Sequence, residues 1–167
     1  MPVTAAPLPD LQALAPMDVA GRAERLLAGL DGAGIDALLV TDLPNLRYLT
    51  GFTGSAGLLV VSPAALTFVT DGRYGQQAEA QLAAAGVQAR IEVAGTGQRD
   101  AVAGAVAASG TTHLGLEAES VTWAAQRTYA DTWFPDLELV PTVGLVAGFR
   151  ARKDPGEIAR LAAAAAV

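Results

Sequence analysis

Apolar positions follow two different rhythms along this chain, and the change of rhythm maps its elements. Ala23, Leu26, Leu27 and Leu30 recur at helical spacing until Gly32 and Gly34, which predicts a helix from about Val19 with Asp18 as its cap. Ala37–Thr41 is instead a short, largely apolar run between Asp36 and Asp42, the form taken by a strand buried on both faces. Asp42–Ser55 reads as a polar and aromatic connection holding Pro44, Gly51 and Gly54. A hairpin follows, with Leu58–Val61 and Leu66–Thr70 joined by the turn residues Ser62, Pro63, Ala64 and Ala65.

Beyond the hairpin, strands and helices alternate. Tyr74–Ala85 is predicted helical up to Gly86, Ala89–Val93 extended, and Arg99–Ala108 helical up to Gly110. His113–Leu116 reads as a strand, Ser120–Thr132 as a helix capped by Ser120, and Leu137–Val140 as a last strand before Pro141. The fold class is therefore α/β: a layered domain with a mixed, mainly central β-sheet flanked by helices, mixed because the hairpin is antiparallel.

The segment Asp154-Pro155-Gly156-Glu157 combines an acidic cap, proline at the first helical position and glutamate three residues after the cap. The helix it launches carries Ile158, Leu161 and Ala162–Ala166 and meets no stop signal before Val167. It reads as the start of a further unit, since short helices are marginal without packing. The expected organisation is an irregular, proline-bearing leader over 1–17, one α/β domain over 18–148, and a linker with the first helix of another domain over 149–167.

Composition narrows the chemistry. The 167 residues carry a formal charge of −6, no cysteine, the single histidine His113, ten arginines and the single lysine Lys153. Disulfide scaffolds, thiolate metal sites and cysteine nucleophiles are excluded. The acidic balance disfavours nucleic acid as a partner. Much of the 51% hydrophobic content is alanine, which buries little area per residue. No run approaches the ~20 apolar residues of a membrane span, and Met1–Pro16 lacks the basic start and apolar block of a secretory signal. A soluble, cytoplasmic protein is expected.

Catalytic constellations are sparse. No Gly-x-Ser-x-Gly elbow surrounds any serine, and His113 opens a predicted strand, so it reads as structural or exposed. Asp36, Asp42, Asp71, Glu92, Glu117 and Glu119 form no dense ligand pattern with it. Gly51–Gly57 is rich in glycine but leads into a strand with no Gly-Lys-Ser/Thr, which opposes a phosphate-loop reading. A phosphoacceptor aspartate at a strand end would need paired acids, and Thr41-Asp42 supplies one.

Three segments carry a resemblance. Asn45–Ser55 (NLRYLTGFTGS) with Gly57–Val61, then Phe68–Tyr74 (FVTDGRY) with Gln77-Ala78, then Arg150–Ile158 (RARKDPGEI) occur in order. Together they resemble the N-terminal domain of the creatinase/prolidase/Xaa-Pro aminopeptidase family; Arg22, Arg25, Leu26, Gly34–Val40 and Leu114–Glu117 agree. The resemblance implies a parent Xaa-Pro peptidase whose two divalent metal ions (manganese, cobalt or zinc) are held by two aspartates, a histidine and two glutamates of a following catalytic domain. Those ligands transfer to no position here, so no cofactor is expected in this chain and the fragment alone is expected to be inactive. What the resemblance implies for this domain is support of a homo-oligomer and a wall for a proline-containing peptide substrate.

Phe52 is the apolar candidate for that wall, and Arg73, Arg47 and Asn45 are the polar ones, the guanidinium groups suiting a peptide carboxylate. Each also has a structural reading. Tyr48, Leu49 and Phe52 suit packing, Asp71 and Arg73 suit pinning a strand-to-helix turn, and Asn45 suits stabilising a turn. Trp123, Tyr129, Trp133 and Phe134 suit either a core anchor or a docking edge. A peptide- or protein-binding module of the same fold is the alternative to a peptidase domain.

Overall fold

The computed structural model describes Asp10 and residues 13–166, so most of the expected leader lies outside the described residues. Six strands form one sheet: β1 (Ala37–Val40), β2 (Leu58–Val61), β3 (Leu66–Thr70), β4 (Arg90–Val93), β5 (His113–Glu117) and β6 (Glu138–Thr142), in the order β4-β3-β2-β1-β5-β6. Only β2 runs against the rest. It pairs antiparallel with both β1 and β3, while β1–β5, β5–β6 and β3–β4 are parallel. The expected mixed sheet is present, with the hairpin supplying the one reversed strand.

Helices cover both faces, and alternate residues of the strands divide between them. Leu38, Val40, Leu59, Val61 and Phe68 pack with α1 (Arg22–Leu27), α2 (Leu43–Thr50), α3 (Gly75–Ala84) and α6 (Leu145–Ala151) through Leu26, Leu46, Leu49, Leu82 and Val146. Ala37, Leu39, Val60, Val69, Leu114 and Leu116 face α4 (Gln98–Ala108) and the segment following α5 (Trp123–Thr128) through Val102, Val106 and Phe134. All four residues of β1 are buried, as its unbroken apolar run predicts.

Several boundaries differ from expectation. The first helix starts at Arg22, and Asp18 does not cap it; Asp18 pairs with Arg25 at 3.3 Å. The supposed connection after Asp42 is helix α2. Asp42 caps it by accepting the Asn45 N–H, and Gly51 ends it at φ 75°, a conformation that suits glycine. Thr122, not Ser120, caps α5, which continues as a wider π-type turn over Tyr129–Trp133. Strand β6 runs through Pro141, tolerated because β6 is an edge strand.

Helix α6 straddles the expected domain boundary at 148/149 and belongs to the core layer through Val146. After it, α7 (Pro155–Ala165) begins with the full capping box: Asp154 accepts the Glu157 N–H at 2.8 Å, and Glu157 accepts the Asp154 N–H at 3.0 Å. Gly156 is required there, because a Cβ would drive into the Pro16 carbonyl and sit 2.8 Å from the Met17 nitrogen. Among the described residues, no helix is long and apolar enough to cross a membrane.

Candidate functional site

Because β1, β3, β5 and β6 share a direction, their carboxyl ends and the connections leaving them lie along one edge of the sheet. In open α/β sheets this is where ligands gather. Thr41 and Asp42 leave β1, Asp71 leaves β3, and Glu117 closes β5.

Glu117 organises the β1–β5–β6 end of this edge. It is only 7% exposed, yet its carboxylate is fully served. Oε2 accepts the backbone N–H groups of Thr41 at 2.7 Å and Asp42 at 2.8 Å, and Oε1 accepts Asn45 Nδ2 at 2.7 Å. Asn45 in turn accepts from Arg150 at 2.9 Å, which ties α6 to α2. This chain of bonds borders a cleft of about 190 Å³ that also touches Asp42, Glu119 and Ser120. Asn45 is thus a relay between β5 and α6 from within the first turn of α2, where a loop turn is expected from the sequence. From the sequence, Glu117 is a candidate metal ligand and part of the Leu114–Glu117 resemblance, not an organiser of this edge; its partners lie 72 and more positions away, beyond any local signal.

Arg73 sits elsewhere on the edge. It leaves β3, and the reversed β2 separates β3 from β1, a lateral distance of about 10 Å. Asp71 accepts the Arg73 N–H at 2.9 Å and its guanidinium at 2.7 Å, so the pair pins the strand-to-helix turn. Hydrogen bonds from Arg73 hold the Asp71 carboxyl below the usual carboxylate range. The guanidinium remains largely exposed and lies 5.1 Å from the Tyr74 ring centre.

The glycine-rich loop between α2 and β2 is anchored over this turn. Thr53 donates its N–H to Gln81 and accepts from Gln77 and Gln81, while Ser55 and Tyr74 share a 2.7 Å hydrogen bond between their hydroxyls. Phe52 departs from the expected role of a substrate wall. Its ring is 1% exposed and packs edge-on against Phe68 and Tyr74 at 4.8 and 5.8 Å, so its apolar surface is spent on the core.

Arg47 projects from α2 into a second cleft of about 470 Å³, shared with Arg22, Arg150, Arg160 and Glu157. There Arg22 is buried; it donates to the Tyr48 carbonyl at 2.9 Å and to Asp154 at 2.5 Å, and stacks 4.0 Å from the Tyr48 ring centre. The structure therefore brings Asn45 and Arg47 together through Arg150 and leaves Arg73 apart. On the opposite layer, Phe134 is a core residue, but Trp123 is 79% exposed, so the aromatic cluster divides between packing and surface.

The carboxylates around His113 do not form a metal centre. His113 is half-exposed, with Asp36 at 3.5 Å from Nδ1 and Glu138 at 3.5 Å from Nε2, on opposite sides of the ring, so the two carboxylates cannot converge with it on one ion. Among the described residues, no group of three or more His, Cys, Asp or Glu side chains is arranged to hold a metal.

A mixed six-stranded sheet between two helical layers defines the class. The sequence profile of the creatinase/prolidase N-terminal domain matches residues 22–152, and this chain belongs to that family. It is 39% identical over 134 residues to the uncharacterized peptidase YqhT of Bacillus subtilis, covering 80% of this chain and 36% of that protein. The Xaa-Pro dipeptidase from Bacillus anthracis superposes with a TM-score of 0.74 at 35% identity, over 82% of this chain and 37% of that one. The N-terminal domain of the cytoplasmic peptidase PepQ from Mycobacterium tuberculosis gives 0.67 at 32% identity, over 78% of this chain and 99% of that domain. The chain thus spans a little over a third of the full-length relatives and nearly the whole of the separate domain.

Proposed function

We propose that this chain is the non-catalytic N-terminal domain of an Xaa-Pro peptidase acting on the bond before proline in the cytoplasm. The carrying observation is the pattern of coverage: 99% of a separate N-terminal domain against 37% of an Xaa-Pro dipeptidase. On this reading, hydrolysis belongs to a following domain that supplies the two metal ions, and α7 is the element leading into it. The body of the domain supports a homo-oligomer, and its sheet edge walls the peptide site. Asn45, Arg47 and Arg73 are the proposed wall residues, with Arg47 having no carboxylate partner among the described residues and therefore suited to a peptide carboxylate. Phe52 supports the wall from the core without facing substrate. Reading the frame beyond Val167 tests this directly: two aspartates, a histidine and two glutamates in that order support it, and a stop codon in the native gene contradicts it.

A further inference from the structure

Six of the ten arginines are paired with carboxylates: Arg22, Arg25, Arg73, Arg90, Arg99 and Arg127. Four, Arg47, Arg150, Arg152 and Arg160, have no carboxylate within 4.0 Å among the described residues, although the chain carries 17 acids. Three of those four line the single 470 Å³ cleft between α2, α6 and α7.

Each keeps spare donors. Arg150 donates to the neutral Asn45 amide at 2.9 Å, and Arg160 to the carbonyls of Ala15 and Gly156 at 2.6 and 3.0 Å. The one acid lining the cleft, Glu157, is already committed to Arg22 at 3.4 Å and to the Asp154 N–H. Three uncompensated guanidinium groups gathered in one concavity of a chain with net charge −6 make a local field opposite to that of the whole molecule. Guanidinium forks match the geometry of multiply charged oxyanions.

We propose that this cleft binds a small oxyanion of two or more charges, inorganic phosphate or a di- or tricarboxylate, between Arg47, Arg150 and Arg160. Because the three side chains come from different helices, the bound ion ties α7 to the body of the domain. The site shares Arg47 with the proposed substrate wall, but its test uses neither peptide nor catalysis, so the two ideas fail separately.

The test is a titration of the chain with phosphate and, separately, citrate, at ionic strength held constant with sodium chloride, read by calorimetry and by hydrogen exchange of α7. Saturable binding that slows exchange in α7 is expected, weakened about tenfold by Arg47→Gln or Arg160→Gln. Arg152→Gln, which removes an unpaired arginine outside the cleft, should leave it unchanged. Binding of phosphate alone assigns the site to a compact tetrahedral ion, and binding of citrate alone to carboxylates; either supports the proposal. It is overturned if neither anion binds beyond the effect of chloride, or if Arg152→Gln weakens binding as much as Arg47→Gln.

Discussion

Glu117 and Asn45, 72 positions apart in sequence, meet in a 2.7 Å hydrogen bond that couples the end of β5 to the first turn of α2. The same carboxylate holds the N–H groups of Thr41 and Asp42, so one side chain fixes both the exit of β1 and the start of the helix. Glu117→Leu would leave those part-buried donors without their acceptor. A loss of about 2–4 kcal/mol is expected in urea unfolding. Glu117→Gln, which keeps one acceptor oxygen, should lose less.

Arg22 clamps the start of α7 through Asp154 and Glu157 while lying over Tyr48. Removing it leaves two carboxylates at one helix start without their cation. Arg22→Ala should cost about 3 kcal/mol and raise hydrogen exchange in α7 more than in the sheet. Arg22→Lys should rescue little of this, because an ammonium lacks the fork and the planar stacking face.

The Asp36 carboxyl is held well below the usual carboxylate range, first by the His113 N–H, then by the Thr112 N–H and hydroxyl, against a small opposing effect of burial. A folded-state pKa below the unfolded value of about 3.9 contributes stability that is fully present above that pH and is lost progressively as pH falls from there through the lower folded-state pKa. Asp36→Asn should therefore flatten the fall of melting temperature on acidification below pH ~4. An unchanged acid limb in this variant would remove Asp36 from the account.

Phe52 and Arg73 should separate cleanly. Phe52→Ala opens a cavity between Phe68 and Tyr74 and should cost about 3–5 kcal/mol. Arg73→Ala removes a largely exposed guanidinium and should leave the melting temperature nearly unchanged. In a full-length enzyme, Arg73→Ala should raise KM or lower kcat with melting nearly unchanged; the opposite pattern would assign Arg73 to folding alone.

The central strands are legible because burial on both faces writes itself as unbroken apolar runs, as in Ala37–Val40 and Leu58–Val61. Helix α2 hid inside a polar stretch, although Asp42, Pro44 and Gly51 mark its two ends; with only Leu46, Leu49 and Thr50 buried, its periodicity is thin. Helix α6 is seven residues long, with Gly144 before it and Gly148 within it, and gives no local signal strong enough to announce it. At the site, the Asp71–Arg73 turn could be read from residues two apart, whereas Glu117–Asn45–Arg150 is assembled by the sheet order alone.

Division of labour between this domain and a metal-bearing one is the central claim, and hydrolysis of an Xaa-Pro peptide with added manganese measures it. The protein carrying the complete reading frame should release the residue before proline, and the purified 167-residue chain should show no turnover above the metal blank. Metal-dependent turnover by the purified 167-residue chain would contradict it.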